Sequence, residues 1–193
     1  MALTIVDRGA RNIVEANQDI GTGTIVFDGD DNRVALAEGV RMDGGSIRFG
    51  STCSLDVGSG CRLQHIDVFG ITNARIIIGR GTGFTWMTRL YLHEPGSITI
   101  GRDCLIASET LLMNSDVHSI FDLQSDERVN AAADVIVGDH VWIAEGVRIL
   151  KGTCIGSGSV IGAGSIVTSD VPINVIAGGI PARVLRKGVR WSP

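Results

Sequence analysis

The chain has 193 residues, 44% of them hydrophobic and 20% charged, with a net charge of −4. This is the composition of a folded globular protein with one substantial core, and it excludes a disordered chain and any general attraction to nucleic acid or to an anionic membrane. No apolar run approaches the roughly 18 residues that span a bilayer, and the N-terminus lacks a basic region followed by an apolar stretch, so the expected location is cytoplasmic.

A single domain, 1–193, is expected, and its 26 glycines with only 5% aromatics favour strands and tight corners over long helices. Residues 1–28 are expected to form an N-terminal cap. From about Gly29 the segments NRVALAEGVRM, CSLDVGSGCRL and ARIIIGRGTGF look like degraded copies of one another. Leu36, Val57, Ile78 and Ile100 recur at intervals of 21 or 22 residues, one 18-residue coil plus a few extra. Ile100, Ile106 and Leu112 keep a six-residue beat, and the next beat falls on His118. The segment 119–135 is then an insertion that leaves the repeat, and long excursions from a rigid scaffold commonly carry function.

The beat resumes at Val137 and continues through Ile143, Ile149, Ile155, Ile161, Val167 and Ile173. A period of six fits neither a helix face nor a plain alternating strand. Three hexads make one triangular coil of short strands, about seven coils over 29–177, with Val137, Ile155 and Ile173 stacked. An antiparallel β-sandwich is the competing architecture, but it has no reason to hold a six-residue register. The segment 178–193 is a basic tail. Cys53, Cys61, Cys104 and Cys154 lack zinc-type spacing and are expected to be buried free thiols.

The stretch DVIVGDHVWIAEGVRILKGTCIGSGSVIGAGSIVTSDVPINVIAGGIPARVLRKGVRW resembles the hexapeptide-repeat acetyltransferases, the group containing galactoside and maltose O-acetyltransferases. NSDVHSIFDLQSDERVN is similar to the branch that acetylates surface polysaccharides. The resemblance implies an all-β fold, a left-handed parallel β-helix, assembled as a homotrimer with acetyl-CoA bound between subunits and a carbohydrate acceptor. The implied function is O-acetyl transfer to a sugar hydroxyl. N-acetylation of an amino sugar, or a non-catalytic scaffold, are the alternatives.

Acetyl transfer to an alcohol needs a base, and histidine suits it, with an ordinary pKa near 6.5. His118 matches the family's catalytic histidine. Asp116, two residues earlier, is a candidate to orient the ring, a role a backbone carbonyl fills equally well. Trp142 matches the family's V-W-I-G motif, with Ala144 in place of the usual Gly, and core packing is its plain alternative. The backbone amides near Ala144 and Glu145 correspond to the region facing the thioester carbonyl. Gly162, Ala163, Gly164 and Thr168 match the segment that follows the pantetheine arm. Arg183, Arg186, Lys187 and Arg190 form a basic cluster suited to coenzyme A phosphates, or else a solvated tail. His65, His93 and His140 are expected to be structural or surface residues. No set of three zinc ligands can be assembled, so no metal is expected.

Overall fold

The computed structural model describes residues 2–16 and 20–193, and among these it contains strands and no helix. The chain winds as a parallel β-solenoid with three faces. The first face carries Ile13–Ala16, Arg33–Leu36, Ser54–Val57, Ala74–Ile78, Gly96–Ile100, Val135–Val137 and Cys154–Ile155 as one seven-stranded parallel sheet. The second carries Arg62–Gln64, Gly83–Phe84, Leu105–Ile106, Trp142–Ile143, Val160–Ile161 and Val175–Gly179. The third carries Asp67–Thr72, Arg89–Leu92, Leu111–Met113, Arg148–Ile149 and Ile166–Val167. Arg41–Ser51 turns the corner between the second and third faces within one strand, pairing with Arg62–Gln64 through its first half and Asp67–Thr72 through its second.

Alternate residues of each face point inward, and they stack coil upon coil. On the first face the column runs Leu36, Val57, Ile78, Ile100, Val137, Ile155 through consecutive parallel registers, all nearly inaccessible. Two residues earlier a second buried column, Val34, Leu55, Ile76, Ile98 and Val135, stacks beside it, so each face gives the interior two alternating positions before the corner and the beat holds. Burying each stabilises the fold by about 1.5–3 kcal/mol. The corner from the first face to the second repeats a left-handed backbone at Gly60, Gly81, Asp103, His140, Gly158 and Asn174, with φ between 52° and 72°. Each of these residues donates its amide to a carbonyl one coil below, for example His140 to Arg102 at 2.7 Å. Glycine takes this conformation freely, and Asn and Asp do so at small cost.

The structure corrects the sequence expectations at four places. Residues 1–28 contain coil: Leu3–Asp7 pairs in parallel with Gly23–Phe27, Ile13–Ala16 with Arg33–Leu36, and Gly21–Phe27 with Arg41–Ser51. Ile5 stacks on Ile25 and is half exposed. Residues 1 and 17–19 of the expected cap lie outside the described residues. At the other end Val171, not Ile173, stacks on Ile155; Ile173 is 65% exposed. That coil is shortened, and Asp170 turns it by accepting the Cys154 amide at 2.8 Å. The excursion starts at Asn114, and Val135 is already back in the coil opposite Ile98. Cys154 is exposed, while the other three thiols are buried. The basic tail folds back as Ala182–Lys187, antiparallel to Val175–Gly179, and closes that end of the sheet.

Candidate active site

The excursion leaves the third face after Met113, at the corner toward the first face. Asn114 turns it outward with its buried side chain, donating to the Glu94 carbonyl at 2.8 Å. Val117 then takes a left-handed φ of 69°, and the His118 amide closes back on the Asp116 carbonyl at 2.8 Å. His118 itself is exposed, and its ring makes no hydrogen bond among the described residues.

A polar network holds this turn. The buried Asn130 side chain donates to the His118 carbonyl at 2.8 Å and to Asp116 Oδ2 at 2.9 Å, and accepts from the Ile120 amide at 2.7 Å. Lys151, on the returning coil, grips Asp116 at 2.7 Å and the Asn130 and Ala131 carbonyls at 2.7 and 3.0 Å. Arg128 reaches the coil below and makes a bidentate pair with Glu94 at 2.7 and 2.6 Å, and Ser115 donates to the same carboxylate at 2.5 Å. Arg128 and Ser115 together hold the Glu94 carboxyl down to about 2. Lys151 and Asn130 likewise lower Asp116, so its carboxylate is engaged by these groups and not by the His118 ring. Glu94, Asn130 and Lys151 carry no mark in the sequence, and Arg128 is legible there only as a loop residue that faces solvent or sugar. Arg128 and Glu94 alone lie 34 residues apart, and the four follow no repeating interval.

Trp142 lies on the second face, 38% exposed. The C-terminal tail crosses this region: Trp191 stacks on His140 with ring centroids 4.2 Å apart and 7° between planes, and donates its indole N–H to the His140 carbonyl at 2.8 Å. Its ring lies 6.1 Å from that of Trp142. His140 and Trp191 are therefore neighbours of the site that sequence reasoning passed over, and a separation of 51 residues carried no signal for the pair.

Ala144, Glu145, Gly162 and Ala163 come together on the ridge between the second and third faces, in adjacent coils. The Ala144 amide is spent on the Ile161 carbonyl at 2.9 Å, which removes it as an oxyanion donor. The Glu145 amide has no partner among the described residues. Thr168 is exposed past the end of the third face, at the opposite corner from Ala163. Arg183 and Lys187 are exposed on the terminal strand, and one Arg183 guanidinium nitrogen donates to the Ala182 carbonyl at 2.8 Å. Among the described residues no group of three His, Cys, Asp or Glu could hold a metal.

Within one chain, then, the His118 turn roots at one edge of the third face, while Trp142, Glu145 and Ala163 lie on or beside the second. The excursion also exposes Ile120, Phe121, Leu123 and Val129, each more than half accessible.

Residues 134–169 match the bacterial transferase hexapeptide family (six repeats). A polysialic acid O-acetyltransferase of Escherichia coli O1:K1 / APEC is 42% identical over 130 residues, 65% of this chain and 41% of that protein. The chain thus spans less than half of that relative's length. The crystal structure of the polySia-specific acetyltransferase NeuO superposes with a TM-score of 0.95 at 31% identity, covering 100% of this chain and 89% of that one. A hexapeptide-repeat acetyltransferase from Vibrio cholerae O1 biovar eltor, solved with acetyl coenzyme A, gives a TM-score of 0.52 at 27% identity over 70% of each chain. By its coil geometry, its repeat and these likenesses, the chain belongs to the hexapeptide-repeat bacterial transferases.

Proposed function

We propose that the chain transfers an acetyl group from acetyl-CoA to a hydroxyl of a surface glycan, and that the active centre forms between copies in a homotrimer. The observation that carries this reading is the separation of the two halves of the site. His118 stands on a firmly tied turn at one edge of the third face. Trp142, the free Glu145 amide and the small residues Gly162 and Ala163 stand across that face. Copies side by side can offer one half to the other, and the exposed apolar residues of the excursion supply a surface to cover.

The chemistry follows from the groups present. Neutral His118 takes the proton of the acceptor hydroxyl as its oxygen attacks the thioester carbonyl. The Glu145 amide receives the developing oxyanion, and collapse expels the thiolate of coenzyme A, which takes the proton from the imidazolium. Asp116 does not act on the ring in this scheme; with Asn130 and Lys151 it fixes the turn that carries it. Trp142 and Trp191 wall the acyl group, and Arg183 and Lys187 meet the phosphates. Use of acetyl-CoA places the work in the cytoplasm.

The test is release of free coenzyme A from acetyl-CoA in the presence of a panel of acidic and neutral oligosaccharides, with the particle mass measured by light scattering. Acceptor-dependent release by a trimer is the expected result. A chain that stays monomeric, or whose melting temperature acetyl-CoA leaves unchanged, overturns the reading.

A further inference from the structure

We infer that the hairpin of the excursion docks on a second copy of this chain, at the ridge between that copy's second and third faces where Trp86 and Met87 stand exposed, and so delivers His118 to the neighbouring site. The inference rests on the transferase reading with its shared centre, and it names the surfaces that meet. The hairpin is preformed. Phe121 bridges antiparallel to Arg128, the Asp122 amide donates to the Glu127 carbonyl at 2.9 Å, and the Asp126 amide returns to the Asp122 carbonyl at 3.0 Å. The Asp122 carboxylate closes the tip by accepting the Gln124 and Ser125 amides, each at 2.9 Å. On this tied frame Phe121 is half exposed and Leu123 fully so, apolar side chains held out with nothing of their own chain to cover them.

The level of the hairpin selects the ridge. Its Arg128 pairs with Glu94, at the end of the coil that starts at Ala74, and Trp86 and Met87 are corner residues of that same coil. Copies set around an axis parallel to the solenoid present like coils at like level, so the hairpin of one meets the next at Trp86. The receiving surface is firm and apolar. Trp86 stacks on His65 with ring centroids 3.7 Å apart and still leaves 55% of its surface to solvent, and Met87 beside it is half exposed. Met87 holds a left-handed φ of 60° at a corner where later coils use Gly146 and Gly164, at 71° and 67°. Keeping a long apolar side chain there costs backbone energy that glycine avoids.

Charge orients the contact. The tip carries the exposed Asp122, Asp126 and Glu127. On the receiving copy the exposed Asp43 and Glu109 stand on the ridge itself, below and above Trp86, and repel the tip from the ridge line. Arg41 and Arg62, exposed and in no ion pair among the described residues, lie three residues back along the second face, about 10 Å at the rise of a strand. A hairpin two strands wide spans that distance, with Phe121 and Leu123 on Trp86 and Met87 and its acidic tip toward the arginines. His118 roots the hairpin just past Met113, one coil above Tyr91 and Glu94, and then faces the stretch of the neighbouring ridge between Ser108 and Glu145. The contact closes the gap between the two halves of the site.

The test is disulfide linking between copies of the full chain. Leu123→Cys and Met87→Cys are combined with Cys154→Ser, which removes the exposed natural thiol, and oxidised beside the two single-cysteine controls. The pair is expected to link into a covalently closed trimer and the controls far less, with Arg62→Glu slowing the linking at low salt and added salt narrowing that difference. Trp86→Ala in the otherwise natural chain is expected to cut kcat about tenfold or more, with melting temperature and the KM for acetyl-CoA unchanged. A trimeric, active parent whose cysteine pair links no more than the controls overturns the docking and leaves the transferase reading standing. A linked trimer that releases no coenzyme A with any acceptor sinks the transferase reading and upholds the docking. A monomeric parent overturns the docking and the shared centre together. A folded Trp86→Ala at the parent rate, or one changed only in its KM for the glycan, overturns the delivery of His118 by this contact, and Arg62→Glu linking at the parent rate at low salt overturns its charge.

Discussion

Replacing Asn130 by alanine isolates the device that holds His118 in place. The substitution removes three well-formed hydrogen bonds, to the Asp116 carboxylate, the His118 carbonyl and the Ile120 amide, at 2.7–2.9 Å. Each is worth about 1 kcal/mol net. Asp116, His118 and Ile120 lie where water reaches them and can partly replace the lost partner, so the loss at the turn is about 2 kcal/mol, a shift of roughly 30-fold toward the detached loop. The solenoid does not depend on the excursion for its stacking, so the loss appears as local opening and the melting temperature moves little. Hydrogen exchange reads it directly: the Ile120 and Val129 amides, bonded to Asn130 and to the Ile120 carbonyl, should exchange about 30-fold faster, while Ile98 and Ile149 in the core are unaffected. The turnover number should fall by a comparable factor. Asn130→Asp should be worse, since it sets a second carboxylate against Asp116 and removes both donors. Exchange at Ile120 and Val129 within twofold of the parent would refute the assignment of Asn130 as the holding residue.

His118→Ala should reduce kcat by about 10²–10⁴ with unchanged melting temperature and acetyl-CoA affinity, and the acidic limb of the rate profile should vanish; a folded variant within a few-fold of the parent rate rules out His118 as the base. Arg183→Gln with Lys187→Gln should raise KM for acetyl-CoA about tenfold or more and leave that for the glycan near the parent value, an effect that weakens with salt. Tyr91, the sole tyrosine, has its phenol pushed up to about 12 by burial and by the bond to Asp67 at 2.5 Å. A raised phenol contributes stability that is present below its ordinary value near 10 and is lost as pH rises through about 12. Absorbance at tyrosinate wavelengths should therefore show a midpoint near 12, lowered but still above 10 in Asp67→Asn; a parent midpoint at 10 would contradict the burial.

Coil and beat were legible from residue order because both come from local geometry. A short strand, a tight corner and a narrow interior force an aliphatic residue at the last inward position of each face, every sixth residue where the corners are shortest. The same rule located the excursion by its interruption and placed His118 on the last beat before it. Local pattern was too weak at the ends: in the first coil Ile5 is half exposed, and near the last one Val171 and Ile173 are both aliphatic, so the choice between them rests on the hydrogen bonds that Cys154 makes with Asp170 and Val171 and that Gly156 makes with Val171. The excursion's path was beyond reach of the sequence. Its anchors, Glu94 with Arg128 and Asp116 with Lys151, join 34 or more residues at no fixed interval, as does Trp191 with His140. Tertiary structure alone decided that Asp116 is held by lysine and asparagine, that the Ala144 amide is spent, and that His118 and Trp142 stand on different sides of the solenoid. Periodicity fixes which way a side chain faces, but which distant partner meets it depends on how the coils stack and where the loop docks.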